Sequence, residues 1–470
     1  MSEAQLVDEW AREQLATADF GHGARVKRAV LMLGRAAQRP AGRLSDVFTT
    51  PADLQGAYDF VEGDVSPAAI TRAFSEATLR AVGEASFCYV PFDGSSLTLT
   101  DRTGKKGFGA VGMRASTRGI KAIDAIAVAG DGTPVGLLEL HWWARGHKTR
   151  DSRYTRRRAG QTETRHWVEA VEDVSQLFAT QAPHCTPWFL GDRECDNTAI
   201  LQALGRQGRA FTVRSAQDRP VRLPNGEHLK LRSHLKARPS CGHYAVDVPP
   251  GSHRKARRAV LDVRFADVVL DLPERTTGKR TGLGVRVVWA RERRPPHGEK
   301  PLDWMLLTNT TVRTFKQAKM IVFGYCQRWR VEDFHKSWKT GCCNVEQTQL
   351  RHMTHVLRWA TMLATIAMRV ERLKHLARSQ PNLPASTELS DIEIEALRAA
   401  KNRIKKRTET IPNEMPTISQ AVRWIADLGG YTGKSSGGPP GSITIARGLE
   451  LLHVWTDALD YAHKLKRRRK

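Results

Sequence analysis

The residues best placed to do chemistry fall in one string, Tyr325-Cys-Gln-Arg328-Trp-Arg-Val-Glu332-Asp-Phe-His335-Lys-Ser-Trp-Lys339, spaced Y-x2-R-x3-E-x6-K. On an α-helix, positions seven apart differ by only about 20° around the axis, so Tyr325, Glu332 and Lys339 share a face, with Arg328 about 60° from Tyr325. One carboxylate among three groups that can grip phosphate suits a helix that holds a metal ion against a nucleic-acid backbone. Two other acids follow short apolar runs. Asp93 comes after Phe87-Cys-Tyr-Val90, in Pro91-Phe-Asp-Gly-Ser-Ser96, and Asp192 comes after Trp188-Phe-Leu-Gly191. In an α/β fold, acids at strand ends can converge on one crevice. With Glu332 they would complete a site for two divalent cations, which activates a water or a 3′ hydroxyl in phosphoryl transfer and stabilises the leaving oxygen. Carboxylate oxygens suit Mg2+, a hard cation. Taken singly, an Asp after a strand reads as a turn or a helix cap. Pro91 is awkward in a central strand, so the strand is expected to end early or bulge there. Asp101 stands in if Asp93 points away.

These groups need a scaffold. Residues 1–80 read as helical, with Trp10, Leu15 and Phe20 in a first amphipathic stretch and Ala24–Gln38 in a second, where Arg25, Lys27 and Arg28 flank an apolar stripe. Strands follow: Phe87–Val90, Ala122–Ala129 and Pro134–Trp143, the last two separated by the turn signal Gly130-Asp-Gly132. A basic segment at 145–166 has few apolar anchors and reads as a DNA-facing loop. A helix (His166–Thr180), a strand ending at Gly191, a helix near Asn197–Gln207 and a strand at Ala210–Arg214 come next. Residues 220–310 look β-rich. One helical run is expected from Thr314 through Leu376, then a linker at Pro381–Ser386 and a helical C-terminal part that ends in a run of Lys and Arg. The domains are expected at 1–75, 76–375 and 385–470.

Composition narrows the partners. The 470 residues carry 74 Lys+Arg against 49 Asp+Glu, a net charge of +25 that few small-metabolite enzymes need. A polyanion is the natural partner, and nucleic acid is the commonest. No apolar run approaches membrane-spanning length, and the N-terminus lacks a signal-peptide apolar region, so a cytoplasmic, non-membrane protein is expected. The seven cysteines form no C-x-x-C pair and read as reduced thiols, with neither a disulfide framework nor a cysteine zinc site.

Asp93, Asp192 and the Y-x2-R-x3-E-x6-K string together resemble the DDE triad and YREK signature of bacterial cut-and-paste transposases of the insertion sequence four family. Gln55-Gly-Ala-Tyr58, Asp192-Arg-Glu194, Val213-Arg214-Ser215, Leu302-Asp-Trp304 and Leu428-Gly-Gly430 extend the resemblance over essentially the whole chain. It implies an α/β, RNase H-like mixed-sheet catalytic core with a β-rich insertion at about 220–310. It also implies a helical N-terminal domain that reads transposon ends and a helical C-terminal domain that dimerises. Asp93, Asp192 and Glu332 would bind two Mg2+ ions, with Mn2+ able to substitute. Tyr325, Arg328 and Lys339 would clamp phosphates, Arg214 would assist, and Trp304 would stack a flipped base at a hairpinned end; its alternative is a core aromatic. Arg25, Lys27 and Arg28 would contact DNA. The partners implied are double-stranded DNA, as transposon ends and target, and a second copy of the chain in a synaptic complex. The setting implied is a bacterial cytoplasm, associated with the nucleoid.

Three rivals remain at this point. Glu332-x-x-His335 and Glu163-x-x-His166 have the spacing of carboxylate-bridged di-iron bundles, though that reading leaves the basic charge unexplained. A structure-selective nuclease on the same core, or a catalytically inert DNA-binding descendant, would keep the charge and lose part of the chemistry.

Overall fold

The structure, a computed structural model, describes residues 3–468 apart from 103, 113–116, 146–161, 224, 249–254, 274–279 and 434–437. Most of the basic run expected to face DNA, and the last two residues of the basic end, lie outside the described residues. Five helices open the chain: α1 (Glu3–Gln14), α2 (Gly23–Gln38), α3 (Leu44–Val47), α4 (Pro51–Glu62) and α5 (Pro67–Val82). Their ends follow local chemistry. Thr50 accepts from the Asp53 amide ahead of Pro51 in the first turn of α4, and α5 stops at Gly83 with φ 60, a conformation that costs glycine little.

The strands are β1 (Phe87–Thr98), β2 (Gly109–Ala110), β3 (Arg118–Val128), β4 (Pro134–Trp143), β5 (Thr186–Gly191), β6 (Ala210–Arg214), β7 (Pro220–Arg222), β8 (His228–Lys230), β9 (Gly242–Val248), β10 (Arg257–Pro273), β11 (Arg280–Glu292) and β12 (Asp303–Thr308). Helix α6 (Thr164–Gln181) precedes β5, α7 (Thr198–Leu204) joins β5 to β6, and α8 (Leu231–Lys236) follows β8. Strands β4, β3 and β1 run antiparallel in that order, and β5 and β6 continue parallel to β1. This is the strand order of an RNase H-like core. The β-rich stretch is not a separate sheet. Strand β12 pairs antiparallel with β6 and carries β11, β10, β7 and β8 outward, so core and insertion form one twelve-stranded sheet.

The helical stretch expected from Thr314 through Leu376 consists of three helices: α9 (Phe315–Gln327), α10 (Trp329–Lys339) and α11 (Met353–Ser379). The C-terminal part holds α12 (Asp391–Ile404), α13 (Ile418–Leu428) and α14 (Ser442–Arg468). One face of the sheet shares a core with the N-terminal helices and with α9, α10 and the first half of α11, through Met32, Phe60, Phe74, Phe334 and Trp359. The opposite face packs against α6 and α7 through Trp167, Phe178 and Leu201. A third core, around Leu373, Leu397, Ile425 and Leu449, belongs to the C-terminal helices, with the end of α11 as its link to the rest. No described helix is long and apolar enough to cross a membrane.

Strand β1 does not end at Val90. It runs on through Pro91, and its register with β3 is unbroken, since Tyr89↔Val128 and Phe92↔Ala125 both sum to 217 (89 + 128 = 92 + 125). Pro91 has no N–H to give the ladder, and it is accommodated beside Leu190, the last residue of β5 paired with β1.

Candidate active site

Strand register sets the first two acids. The parallel pairing of β1 with β5 runs from Phe87↔Thr186 to Pro91↔Leu190, a constant offset (186 − 87 = 190 − 91 = 99). Carried two positions further, the same offset puts Asp93 beside Asp192 (192 − 93 = 99), where β5 has just ended. Neighbouring strands lie about 4.8 Å apart, so two carboxylates at matched positions face one space. The β5–β6 offset likewise puts Arg214 beside Asp192 (213 − 191 = 214 − 192 = 22). The Oδ1 of Asp93 accepts from the Gly94 amide at 2.7 Å, and that of Asp192 accepts from the Glu194 amide at 2.6 Å, which fixes both side chains.

Helices α9 and α10 supply the third. They meet at Arg328, whose backbone stays helical (φ −53, ψ −34), while its N–H bonds to Tyr325 and Cys326 carbonyls and tightens the turn. Tyr325 therefore belongs to α9, whereas Glu332 and Lys339 belong to α10, and the single-helix face assumed from spacing is split. The Arg328 guanidinium lies 2.6 Å from Glu332 Oε1 and 3.8 Å from Asp93 Oδ2, with side-chain exposures of 8% for Arg328, 51% for Glu332 and 19% for Asp93. Arg328 is thus buried between two of the acids rather than open to phosphate. Its Nε has no hydrogen-bond partner among the described residues. Tyr325 is buried behind it; burial above all raises its hydroxyl pKa, and the Arg328 and Arg214 cations oppose the rise.

Two participants escaped sequence reasoning. Asp124 of β3 is paired with Asp93 across the antiparallel ladder and is fully buried. His335 Nε2 stands 2.5 Å from Asp124 Oδ2, so this histidine is a carboxylate partner inside the site. The signal was present in Ala122-Ile-Asp-Ala-Ile-Ala-Val-Ala129: an acid in an otherwise apolar strand is buried and must be paired. Burial above all raises the Asp93 carboxyl from 3.8 to about 6; the charge of Asp192 pushes the same way, and His335 and Arg328 oppose it. The oxygen donors of Asp93 and Asp192, with Glu332 linked to Asp93 through Arg328, are of the type that suits hard divalent cations.

The other expected site residues are dispersed. Lys339 ends α10, half-exposed, about 10 Å along the axis from Glu332. Trp304 is 2% exposed, its ring 5.4 Å from that of Tyr325 and 6.1 Å from that of Trp329, so the placement found is the core aromatic and no open face awaits a base. Asp101 faces Arg118 at 4.0 Å, away from the cluster. Of the three α2 cations expected to contact DNA, Arg25 turns to the Phe20 carbonyl and Asp64, and the Arg28 guanidinium lies over Gly56. Lys27 is exposed. The di-iron reading does not survive: Glu163 is held by Arg145 and Lys121, and Glu332 by Arg328.

Known proteins match this chain along most of its length. A transposase DNA-binding family model matches residues 7–64, a transposase DDE-domain model matches 116–369, and a model of the transposase Tn5 dimerisation domain matches 365–467. The DDE-domain match covers just over half of the chain and includes Asp192 and Glu332; Asp93 precedes it. Among solved structures, the chain is similar to one described as the cryo-EM structure of the piggyBac transposase synaptic complex with hairpin DNA. That match has 11% identity and a TM-score of 0.35, over 80% of this chain and 73% of that one.

Proposed function

The chain belongs to the transposases with a DDE domain, and from that premise we propose that it cuts and pastes DNA with Asp93, Asp192 and Glu332 as its metal-binding acids. The observation that carries the reading is that Asp93 joins the other two acids: it is matched in register with Asp192 and shares the Arg328 guanidinium with Glu332. Two bound Mg2+ ions, or Mn2+ in their place, would supply an activated nucleophile and a stabilised leaving oxygen.

The protein's own residues do the rest. Asp93 and Asp192 are fixed by the sheet and by amide hydrogen bonds, so they define where the reacting phosphate sits. Glu332, more exposed than Asp93, leaves Arg328 to join them. The freed guanidinium stays beside the scissile phosphate, where a planar fork binds two oxygens. Lys339 holds a phosphate further along the strand, and Tyr325 and Arg214 brace Arg328 from behind. The nick leaves a 3′ hydroxyl, which attacks the opposite strand to close a hairpin. Hydrolysis reopens the hairpin, and the same hydroxyl then attacks target DNA. Trp304 serves this cycle from the core, as a support for Tyr325.

Flanking parts fit the same cycle. Lys27 and Arg35 are exposed on α2, within the DNA-binding match. On α14, Leu451, Val454, Ala458, Tyr461 and Leu465 are all exposed and follow a three–four spacing, the seam a helix presents to a second copy. In this reading the end-binding domain spans 1–75, the catalytic domain 76–375 and the dimerisation domain 385–470.

The test is incubation of the purified protein with Mg2+, DNA carrying its transposon ends and a target plasmid. Strand-transfer products are expected, and Glu332→Ala should keep end binding while cleavage falls by orders of magnitude. Cleavage without joining would indicate a nuclease instead, and near-normal cleavage by the variant would remove Glu332 from the site.

A further inference from the structure

On the far side of the sheet from Glu332, three side chains converge without a part in the chemistry above. His141 lies near the end of β4 and pairs in register with Ile123, whose side chain packs in the α6-side core, opposite its neighbour Asp124. His166 and Glu169 lie on the first turns of α6, one helical turn apart. His141 Nε2 is 3.0 Å from His166 Nδ1 and 3.2 Å from Glu169 Oε2, and His166 Nδ1 is 3.2 Å from the same oxygen.

With Glu169 ionised, every placement of protons leaves one unfavourable contact in this triangle. Each ring nitrogen carries either one hydrogen or one lone pair. If both carry hydrogens, two donors face each other at 3.0 Å. If only one does, the other nitrogen's lone pair faces a carboxylate oxygen at 3.2 Å. A cation just off the plane of the three atoms satisfies all of them, at the 2.0–2.1 Å typical of zinc to imidazole nitrogen or carboxylate oxygen.

The surroundings are those of an oriented ligand set. His141 turns its other nitrogen, Nδ1, towards Asp173 Oδ2 at 3.9 Å, beyond a hydrogen bond but on the side where an outer carboxylate can orient a metal-bound imidazole. His166 is buried and stacked on Trp143, with ring centroids 4.4 Å apart and planes 14° apart, which holds its ring plane. Glu163, the acid that sequence spacing paired with His166, is engaged by Arg145 and Lys121 and takes no part.

We propose that His141, His166 and Glu169 bind a Zn2+ ion that ties the end of β4 to the start of α6, with Asp173 as its positioning residue. Two imidazole nitrogens select a first-row transition ion over Mg2+, so the site stays distinct from the carboxylate site. It lies on the opposite face of the sheet from Glu332, so its role is structural: it clamps the two ends of the connection between β4 and α6.

The test uses full-length protein stripped with a chelator, then titrated calorimetrically with Zn2+ in excess Mg2+ to block the carboxylate site. One equivalent per chain is expected. His166→Asn should weaken binding by at least about 100-fold and Asp173→Asn by about 10-fold. Glu169→Gln should also weaken it while leaving the circular dichroism spectrum intact, since this exposed acid is outside the core. Absence of saturable Zn2+ binding in excess Mg2+ would overturn the proposal. So would unchanged Zn2+ affinity in both His166→Asn and Glu169→Gln, which would place the ion elsewhere, for instance on cysteine.

Discussion

The Asp93 carboxyl allows a quantitative prediction. Its folded value of about 6, against 3.8 for an ordinary aspartate, means that the fold holds the ionised form at a disadvantage. A difference of about two units is about 3 kcal/mol, at 1.36 kcal/mol per unit. Asp93→Asn removes the charge and keeps the shape, so at pH 7.5, without divalent ions, the variant should be more stable by up to that amount. For 470 residues, an unfolding entropy of about 2.1 cal/mol/K per residue gives about 1 kcal/mol per degree, hence a Tm higher by about 3 °C. The sign with pH follows from the raised value. The disadvantage is full above about 6, shrinks as the pH falls towards 3.8, and vanishes below that, where both folded and unfolded chains hold the proton. Mg2+ should then raise the Tm of the wild type and close the gap, while leaving Asp93→Asn almost unmoved. End cleavage by the wild type should fall as the pH drops through about 6, because the proton and the cation compete for one carboxylate. Differential scanning fluorimetry at pH 7.5 and pH 4.5, with and without Mg2+, reads the stability terms. A variant that melts below the wild type at neutral pH, or a gap that does not depend on pH, would refute the electrostatic account of the site.

Three further outcomes are expected. Lys339→Ala should lower the slope of log affinity against log salt by about one unit across end sequences, by filter binding, as loss of a single phosphate contact requires; an unchanged slope would remove Lys339 from the backbone contacts. His335→Ala leaves Asp124 buried and unpaired and should cost about 3–5 kcal/mol in chemical denaturation, with Asp124→Asn in the same background restoring part of it. If the second change brings no recovery, the two residues are not coupled. On α14, the double change Val454→Glu and Tyr461→Glu should convert dimers to monomers in analytical ultracentrifugation of the DNA complex while leaving the monomer's melting point in place, and an unaltered dimer would put the seam elsewhere.

Much of this arrangement could be read from residue types, and the parts that could not share a cause. The apolar runs of the core strands gave their positions, and Asp192 was placed by the end of its strand. Asp93 was expected past a strand end that does not exist, because proline was weighed against a ladder whose register tolerates the gap. The helix string gave the right residues and the wrong continuity: the break at Arg328 has neither glycine nor proline to announce it and comes from a tightened turn. Arg328 itself was assigned to phosphate, whereas its nearest partners are Glu332 and Asp93, a pairing across 235 positions (328 − 93 = 235) that no local pattern encodes. Asp124 was hidden by the apolar period around it. Trp304 shows the reverse case, since its type fits either a base platform or a core, and only its neighbours Tyr325 and Trp329 decide. The triangle of His141, His166 and Glu169 joins a strand to a helix and has no spacing of its own.

The single sheet also governs how the chain can be made. The outer edge of β6 is closed only by β12, and Arg214 donates to the carbonyl of a residue 89 positions later in the sequence. During synthesis β6 therefore emerges with unpaired amides and an apolar Ala-Phe-Thr-Val edge that nothing local can cover, a template for pairing with another nascent chain. Pairings this distant close slowly, because the loop entropy must be met before any contact repays it. A fragment cut anywhere between Arg214 and Asp303 would keep the strands that carry Asp93 and Asp192 inside the sheet but leave β6 as an open edge, and is expected to aggregate through it. A folded catalytic core therefore has to include β12 as well as the strands of Asp93 and Asp192.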